Sequence, residues 1–208
     1  MLSSPSGGGK STIARHLLEA REDVTYSVSA TTRPMRPGEE DGRHYHYLSR
    51  PEFERRVAAK DFVEWAEYGG YLYGTLAAEV ERGLAQGHHI VLDIDVEGAR
   101  QVRKRYPDSV HVFVLPPSAG VLVQRLRGRN TEDLAAVERR LGIAAGELLA
   151  AQEYDYVVVN DDFVEAVAHV AAILDVEVRR VRRLTNLGQV IENLRRDLAG
   201  LQQRLRKE

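Results

Sequence analysis

The 208-residue chain is long enough to bury one hydrophobic core and to carry a small inserted lobe. Its 29 basic and 31 acidic residues give a formal net charge of −2, which supplies no general attraction for nucleic acid. Cysteine is absent, which excludes disulfides and cysteine–metal sites.

The sequence shows no membrane or secretory signal. No apolar run approaches the length of a membrane span, and the N-terminus lacks the layout of a signal peptide. We therefore expect a cytoplasmic protein that binds neither a membrane nor nucleic acid.

Short elements are predicted in the first part of the chain. Residues 10–19 are predicted to form a helix after a glycine-rich turn, and the alternating residues 24–29 a strand. An arginine-bearing loop is predicted over residues 31–42. The elements that follow are a strand at 44–48, a helix to residue 59 with Ser49 as its N-cap, strands at 62–68 and 71–74, and a helix to residue 86 with Thr75 as its cap.

The second part of the chain alternates apolar runs with helices. The runs are residues 90–92, 110–115 and 156–159, and this pattern predicts parallel strands covered on both faces. Asp93, Asp95 and the acidic cluster 160–162 follow two of these runs. Ligands bind beyond the carboxyl ends of such strands, so we expect a site there.

Two further helical segments are predicted. The arginine-rich residues 124–152 are interpreted as two helices joined near residues 128–130, and residues 178–207 as an amphipathic helix. Its apolar residues recur every three or four positions, so the helix must bury a stripe. Packing on its own domain is favoured, and pairing with a second chain is the alternative.

The most informative stretch is Gly7-Gly8-Gly9-Lys10-Ser11-Thr12. A glycine-rich turn followed by Lys-Ser at the start of a helix points several N–H groups at one anion, and the lysine reaches the outer phosphates. The Ser11 hydroxyl would contact Mg²⁺. The pattern departs from the consensus at Ser4, where glycine is usual, and only residues 1–3 precede it. A plain flexible turn is the alternative interpretation.

Arg33 and Arg36 lie on a proline-stiffened loop, where two guanidiniums suit the capture of a phosphate monoester. Tyr45 and Tyr73 could add hydroxyls to the same anion. A solvated surface loop is the alternative, and it becomes less favoured beside a phosphate-binding turn.

Glu64 places a carboxylate inside an apolar strand. A buried carboxylate needs partners, and one that accepts from two adjacent N–H groups suits guanine, whose N1–H and N2 amino group point the same way. An ordinary outward-facing glutamate on an alternating strand is the alternative.

Seven blocks of this sequence, in their order and spacing, resemble the guanylate kinase family. The blocks are Pro5-Ser6-Gly7-x-Gly9-Lys10, Ser27-Val28-Ser29-Ala30-Thr31-Thr32-Arg33-Pro34-x-Arg36-x-Gly38-Glu39, Gly42-x-x-Tyr45, Phe62-x-Glu64-Trp65-Ala66, Tyr73-Gly74-Thr75, Asp93-Ile94-Asp95-x-x-Gly98 and Val159-Asn160-Asp161-Asp162. The agreement extends over about residues 3–174.

The resemblance implies an α/β fold with a P-loop NTPase-type parallel sheet flanked by helices, a small inserted mixed lobe that binds the nucleoside monophosphate, and a helical lid. The implied boundaries are a domain over 1–177, with its core at 1–29 and 76–177, the GMP-binding lobe at about 30–75 and the lid at about 125–152, followed by a helical tail at 178–208.

The resemblance also implies the substrates and their residues. The substrates would be ATP, accompanied by Mg²⁺, and GMP. The residues at ATP would be Ser4, Pro5, Ser6, Gly7, Gly8, Gly9, Lys10, Ser11 and Thr12 at the phosphates and Asn160 beside the adenine. The residues at GMP would be Arg33, Arg36, Tyr45 and Tyr73 at its phosphate, Ser29, Glu64 and Thr75 at its base, and Asp93 and Asp95 nearby. The catalytic cations would be Lys10, Arg36, the lid arginines Arg125 and Arg129, and Arg140 on the returning helix.

Two alternatives to a guanylate kinase remain at this point. Guanylate-kinase-like modules of scaffolding proteins bind phosphorylated peptides, but they typically lose phosphate-loop residues, whereas Lys10 and Ser11 are present here. A kinase for another phosphorylated acceptor would use the same fold, and Glu64 with Ser29 favours guanine instead.

Overall fold

The computed structural model describes residues 1–127 and 134–206. The chain divides into two compact units, Met1–Val170 and Ala171–Glu208. The second unit begins within a helix that runs over Phe163–Glu177. The boundaries predicted for the core, lobe, lid and tail stay predictions.

Eight helices lie in the described part of the chain. They are α1 (Lys10–Ala20), α2 (Arg50–Ala58), α3 (Ala77–Ala85), α4 (Val96–Arg105), α5 (Ala119–Arg127), α6 (Leu134–Leu149), α7 (Phe163–Glu177) and α8 (Leu187–Leu205). The strands are β1 (Leu2–Ser3), β2 (Val24–Tyr26), β3 (Ser29–Thr31), β4 (His46–Tyr47), β5 (Phe62–Tyr68), β6 (Tyr71–Leu76), β7 (His89–Val91), β8 (Val112–Leu115) and β9 (Tyr156–Val159).

Parallel strands form the central sheet. β8 pairs with β1 and with β9, and β2 pairs with β7. Leu2 joins these two groups, because its N–H donates to Leu92 O at 2.9 Å and its carbonyl accepts from Ile94 N–H at 3.3 Å. The strand order is therefore β2-β7-β1-β8-β9. Leu2 is 2% exposed at the centre of this sheet, so the two-residue strand before the phosphate-binding turn is part of the core.

The predicted small mixed lobe is a second sheet with the order β4-β3-β6-β5. β4 runs parallel to β3, whereas β6 runs antiparallel to both β3 and β5. Helix α2 begins after Ser49, whose hydroxyl accepts from Glu52 N–H at 3.3 Å as predicted. Phe53 of α2 stacks on Phe62 of β5 with ring centroids 4.3 Å apart, which gives the lobe its own apolar core. The predicted fold class is confirmed.

The single strand predicted over residues 24–29 is wrong. Tyr26 pairs with Val91 in the central sheet, whereas Ser29 pairs with Thr75 in the lobe. The chain therefore crosses from one sheet to the other at Ser27 and Val28. The apolar/polar alternation continues from residue 24 to residue 29, and such alternation is typical of any strand, so it does not show which sheet each half joins.

The helix cap predicted at Thr75 is also wrong. Thr75 is the fifth residue of the strand Tyr71–Leu76, and Leu76 is the N-cap of α3 without a side-chain hydrogen bond. Cross-strand pairing with Ser29 and Glu64 holds Thr75 in the sheet. Its hydroxyl therefore serves the lobe and not the helix.

The second unit contains less helix than the sequence predicts. A short 3₁₀ turn over Val181–Arg183 separates the end of α7 from α8. Glu177 pairs with Arg180 at 3.1 Å and with Arg183 at 3.2 Å on either side of the start of this turn. Six large apolar side chains of α8 are exposed by 45–70%, for example Leu194 and Leu198. Among the residues that the structure describes, no helix combines the length and apolarity needed to span a bilayer.

Candidate active site

The turn between β1 and α1 has the geometry of a phosphate-binding loop. Gly7 and Gly9 have φ values of 87° and 99°, and a residue with a side chain would be strained in this backbone conformation. A Cβ on Gly9 would lie 2.3 Å from Asn160 Nδ2, and one on Gly8 would lie 2.6 Å from Ser4 Cβ. These positions therefore require glycine for conformation or for space, which argues against a plain flexible turn.

The departure at Ser4 costs little in this loop. Lys60 is the only non-glycine residue with positive φ in the described chain, so Ser4 needs no left-handed backbone. The Ser4 side chain is buried, and its hydroxyl donates to Pro5 O at 3.0 Å. Serine fits because it is small and because its hydroxyl finds a partner inside the loop.

Lys10 and Ser11 open α1 at the edge of a cavity. The Lys10 ammonium forms an ion pair with Asp93, which directly follows Leu92 after β7. Ser11 is exposed in the same first turn. Asp93 lies beyond the carboxyl end of a central strand, so this strand end and the phosphate loop meet at one place.

Asn160 and Arg125 hold the loop from outside. Asn160 Nδ2 donates to Gly8 O at 2.9 Å, and Arg125 Nη2 donates to Asn160 O at 3.0 Å. Arg125 Nη1 also approaches Gly8 O at 3.4 Å. The buried Asn160 Oδ1 has no hydrogen-bond partner among the described residues. Both side chains therefore lie against the loop backbone, and Arg125 belongs to its support in this structure.

Helix α6 reaches the loop at Ser6. Arg140 Nη2 donates to Ser6 Oγ at 2.9 Å, and Ser6 N–H donates to Glu147 Oε2 at 3.0 Å. Burial raises the pKa of Glu147. Arg140 was predicted from the sequence and Glu147 was not, although the two lie about two turns apart on one face of α6. Arg129 lies outside the described residues.

A cavity of about 340 Å³ extends from Lys10 to the mixed lobe. Its lining includes the predicted residues Lys10, Ser11, Ser29, Tyr45, Glu64, Tyr73, Asp93 and Asp95. It also includes Tyr26 and Tyr68, which the sequence analysis did not single out. The structure therefore brings residues predicted for two different ligands to one space.

Three polar side chains form a row across the lobe. Ser29 on β3 and Glu64 on β5 are both paired with Thr75 on β6, and cross-strand partners share a face. Thr75 Oγ1 donates to Glu64 Oε1 at 2.6 Å. Glu64 is 6% exposed, so the outward-facing interpretation is wrong. The register shift between Phe62 and Glu64 turns this side chain inward.

Burial dominates the electrostatics of this row. It raises the pKa of Glu64 to about 6, and the charge of Asp95 acts in the same direction. Asp95 itself caps α4, where its Oδ1 accepts from Gly98 N–H at 2.7 Å. Glu64 Oε2 makes no hydrogen bond to the described residues, so it is available to a ligand.

The arginine loop is only partly assembled. Arg33 is buried, with its guanidinium carbon 5.4 Å from the centre of the Tyr45 ring, and Tyr45 and Tyr73 lie 6.0 Å apart. Burial raises the pKa of Tyr45, which keeps its hydroxyl protonated as a donor. Arg36 is exposed, and its guanidinium makes no hydrogen bond to the described residues. The structure therefore brings Arg33 and both tyrosines together but leaves Arg36 apart.

Comparisons with known proteins agree with this geometry. The guanylate kinase family model matches residues 1–184. The chain is 49% identical to the guanylate kinase of Symbiobacterium thermophilum over 194 residues, covering 93% of this chain and 91% of that protein. It is 51% identical to that of Rubrobacter xylanophilus over 166 residues, covering 80% and 87%. The crystal structure of guanylate kinase from Anaplasma phagocytophilum superimposes with a TM-score of 0.74 at 33% identity, covering 92% of each chain.

Proposed function

The chain belongs to the guanylate kinase family, and we propose that it transfers the γ-phosphoryl group of ATP to GMP, giving ADP and GDP. One observation carries the proposal. A single cavity joins the phosphate-loop lysine, Lys10, to the polar row that contains Ser29 and Glu64. Both nucleotides can therefore meet at one place, as direct transfer requires.

The residue assignments follow from that arrangement. The phosphate loop would hold the ATP phosphates, with Asn160 keeping the loop in shape. Arg33, Tyr45 and Tyr73 would hold the GMP phosphate, with Arg36 moving in when GMP binds. Guanine would bind to Ser29, Thr75 and Glu64, because the free Glu64 oxygen can accept hydrogen bonds from the adjacent N1–H and N2 amino groups of the base.

The reaction needs no covalent enzyme intermediate. A phosphate oxygen of GMP attacks the γ-phosphorus in line, a new O–P bond forms, and the bond to the β-phosphate oxygen breaks so that ADP leaves. The protein positions the two phosphates and neutralises their charge with Lys10, with the arginines of the arginine loop and with those of the predicted lid. Arg125, Arg129 and Arg140 would supply these arginine charges on the ATP side.

The cavity has suitable oxygen donors for Mg²⁺ bound with ATP. The Ser11 hydroxyl and the carboxylates of Asp93 and Asp95 line it, and Mg²⁺ prefers such oxygen ligands. When bound, the ion would neutralise charge on the phosphates. Lys10 would exchange Asp93 for the ATP phosphates, which frees that carboxylate.

The decisive test is ADP release with a panel of nucleoside monophosphates. GMP should be preferred strongly over AMP, because a site built for hydrogen bonds leaves its groups unpaired with the wrong base. Glu64→Gln should raise the KM for GMP by about 10- to 100-fold and leave the KM for ATP nearly unchanged, since a hydrogen bond to a charged group is lost.

The matched control is Glu67→Gln on the same strand. Glu67 is exposed and pairs with Arg50 at 3.1 Å, so its removal should leave both KM values unchanged. Equal activity of the parent protein with AMP and GMP would contradict the guanine assignment.

We also propose that a second copy of the chain covers the apolar face of α8. Leu187, Ile191, Leu194, Leu198, Leu201 and Leu205 recur in alternating steps of four and three. This is the heptad period of a helix that pairs with a helix of the same kind. Sedimentation should report a dimer for the parent chain and a monomer for Leu198→Arg. Gln203→Arg, on the opposite face of α8, should leave the dimer intact, and a monomeric parent chain would contradict the pairing.

A further inference from the structure

The guanidinium of Arg33 is fixed before any ligand is present. Its Nη2 donates to Glu39 Oε1 at 2.7 Å, and its Nη1 donates to Pro34 O at 2.7 Å. The ring of Tyr45 lies against it, and its side chain is only 10% exposed. Because arginine carries five N–H donors, these contacts leave donors over for an anion.

Three donors from different parts of the lobe converge on the Glu39 carboxylate. Oε1 accepts from Arg33, and Oε2 accepts from Arg36 N–H and from the Tyr47 hydroxyl, each at 2.7 Å. These hydrogen bonds hold the pKa of Glu39 near 2, so the carboxylate stays ionised in neutral solution. Glu39 therefore joins the arginine loop to β4 through one charged group.

We propose that Glu39 is a positioning residue for the GMP phosphate, fixing the Arg33 guanidinium and the Arg36 main chain as a preformed clamp. This inference rests on the proposed function, since it assigns the phosphate of GMP to Arg33. Glu39 itself does not contact the phosphate, because its two oxygens are already used and both ligand and residue are anionic.

The charge of Glu39 makes the sign of its effect informative. By itself the carboxylate repels a phosphate dianion. If Glu39 only competed with the phosphate for Arg33, removing its charge would tighten GMP binding. Positioning predicts weaker binding, because a freed arginine must be ordered again when the phosphate arrives. One neutral substitution therefore separates the two roles by direction.

The experiment compares Glu39→Gln, Tyr47→Phe and the control Glu40→Gln in steady-state kinetics and in binding of guanosine, which has the base but no phosphate. Glu39→Gln should raise the KM for GMP about tenfold and leave the KM for ATP and guanosine affinity within about twofold. Tyr47→Phe should act in the same direction by about two- to threefold. Glu40→Gln, which only loses an exposed pair with Arg43, should match the parent protein.

The outcomes separate this inference from the proposed function. An unchanged or lowered KM for GMP in Glu39→Gln overturns the positioning role, and an equal loss of guanosine affinity reassigns Glu39 to the general structure of the lobe. Should Glu39→Gln fail to fold, Tyr47→Phe decides by the same comparison. A parent protein that does not phosphorylate GMP contradicts the proposed function instead.

Discussion

Gly98 on α4 lies directly against the carboxylate of Glu64 on β5. A Cβ at residue 98 would lie 2.9 Å from Glu64 Oε2 and 3.3 Å from Asp95 Oδ1. The first turn of α4 therefore approaches the proposed guanine-binding carboxylate so closely that a methyl group at residue 98 would have to displace it. Helix α4 also binds the residue that follows Glu64 on β5. The Trp65 N–H donates to Gln101 Oε1 at 3.1 Å, and Gln101 Nε2 donates to the Trp65 carbonyl at 2.9 Å.

Gly98→Ala should weaken GMP binding selectively. The added methyl group must displace the free Glu64 oxygen, so we expect the KM for GMP to rise about tenfold while the KM for ATP stays within about twofold. Gly120→Ala is the control, because its Cβ would have only an ordinary contact, 3.8 Å from Ser118 Oγ. Equal kinetic effects from the two substitutions would refute the close-approach argument.

GMP binding should weaken as the pH falls through about 6. Burial raises the pKa of Glu64 to about 6, and only the ionised carboxylate accepts hydrogen bonds from both guanine N–H groups. The KM for GMP should be roughly tenfold higher at pH 5 than at pH 8. The GMP phosphate also titrates near pH 6. In Glu64→Gln the carboxylate no longer titrates, so the pH dependence of that variant reports the phosphate alone, and the difference between the two profiles reports Glu64. Identical pH profiles for the two proteins would exclude Glu64 as the titrating group.

The same carboxylate should cost stability when it is ionised. The folded-state pKa of about 6 lies above the ordinary value of 4.5, so folding favours the protonated form. That stabilisation is fully present below about pH 4.5 and is lost as the pH rises through about 6. Without nucleotide at pH 8, Glu64→Gln should have a free energy of unfolding about 1–2 kcal/mol higher than that of the parent protein, and it should therefore melt at a higher temperature. The difference should shrink at pH 5. Thermal melting at the two pH values measures this.

Lys10→Ala should lower kcat by about two to four orders of magnitude. The substitution removes a mobile cation from the phosphate loop and leaves the loop N–H groups in place. It also leaves Asp93 without its ion-pair partner, so circular dichroism must first show that the variant is folded. Lys104→Ala, at an exposed position on α4, is the control. Near-normal turnover of a folded Lys10→Ala protein would rule out the proposed role of Lys10.

Asn160→Ala should weaken ATP binding and leave GMP binding intact. The change removes the hydrogen bond to Gly8 O and opens space beside Gly9, so the loop loses its fixed shape. We expect the KM for ATP to rise about tenfold, because a factor of ten corresponds to the free energy that one buried hydrogen bond contributes. Asn193→Ala on the exposed face of α8 is the comparison. A rise in the KM for GMP instead would place Asn160 on the acceptor side.

Local patterns were enough to predict most elements and the phosphate loop. The helix after Ser49 begins where its capping residue and Pro51 predict, because those signals act within one turn. Apolar runs predicted the parallel strands for the same reason, because a strand that is buried on both faces needs apolar side chains at consecutive positions. The change of sheet at Ser27 and Val28 escaped prediction because both halves obey one alternation.

The amino-acid sequence by itself determined the phosphate loop, the arginine pair and the family, because glycine freedom, charge and motif spacing are properties of neighbouring residues. Only the tertiary structure decided that Thr75 serves Glu64 and not a helix, and that Arg33 is held by Glu39. It also decided that Asn160 supports Gly8, 152 positions away. Such contacts depend on strand register and on the packing of distant elements, which no local pattern encodes.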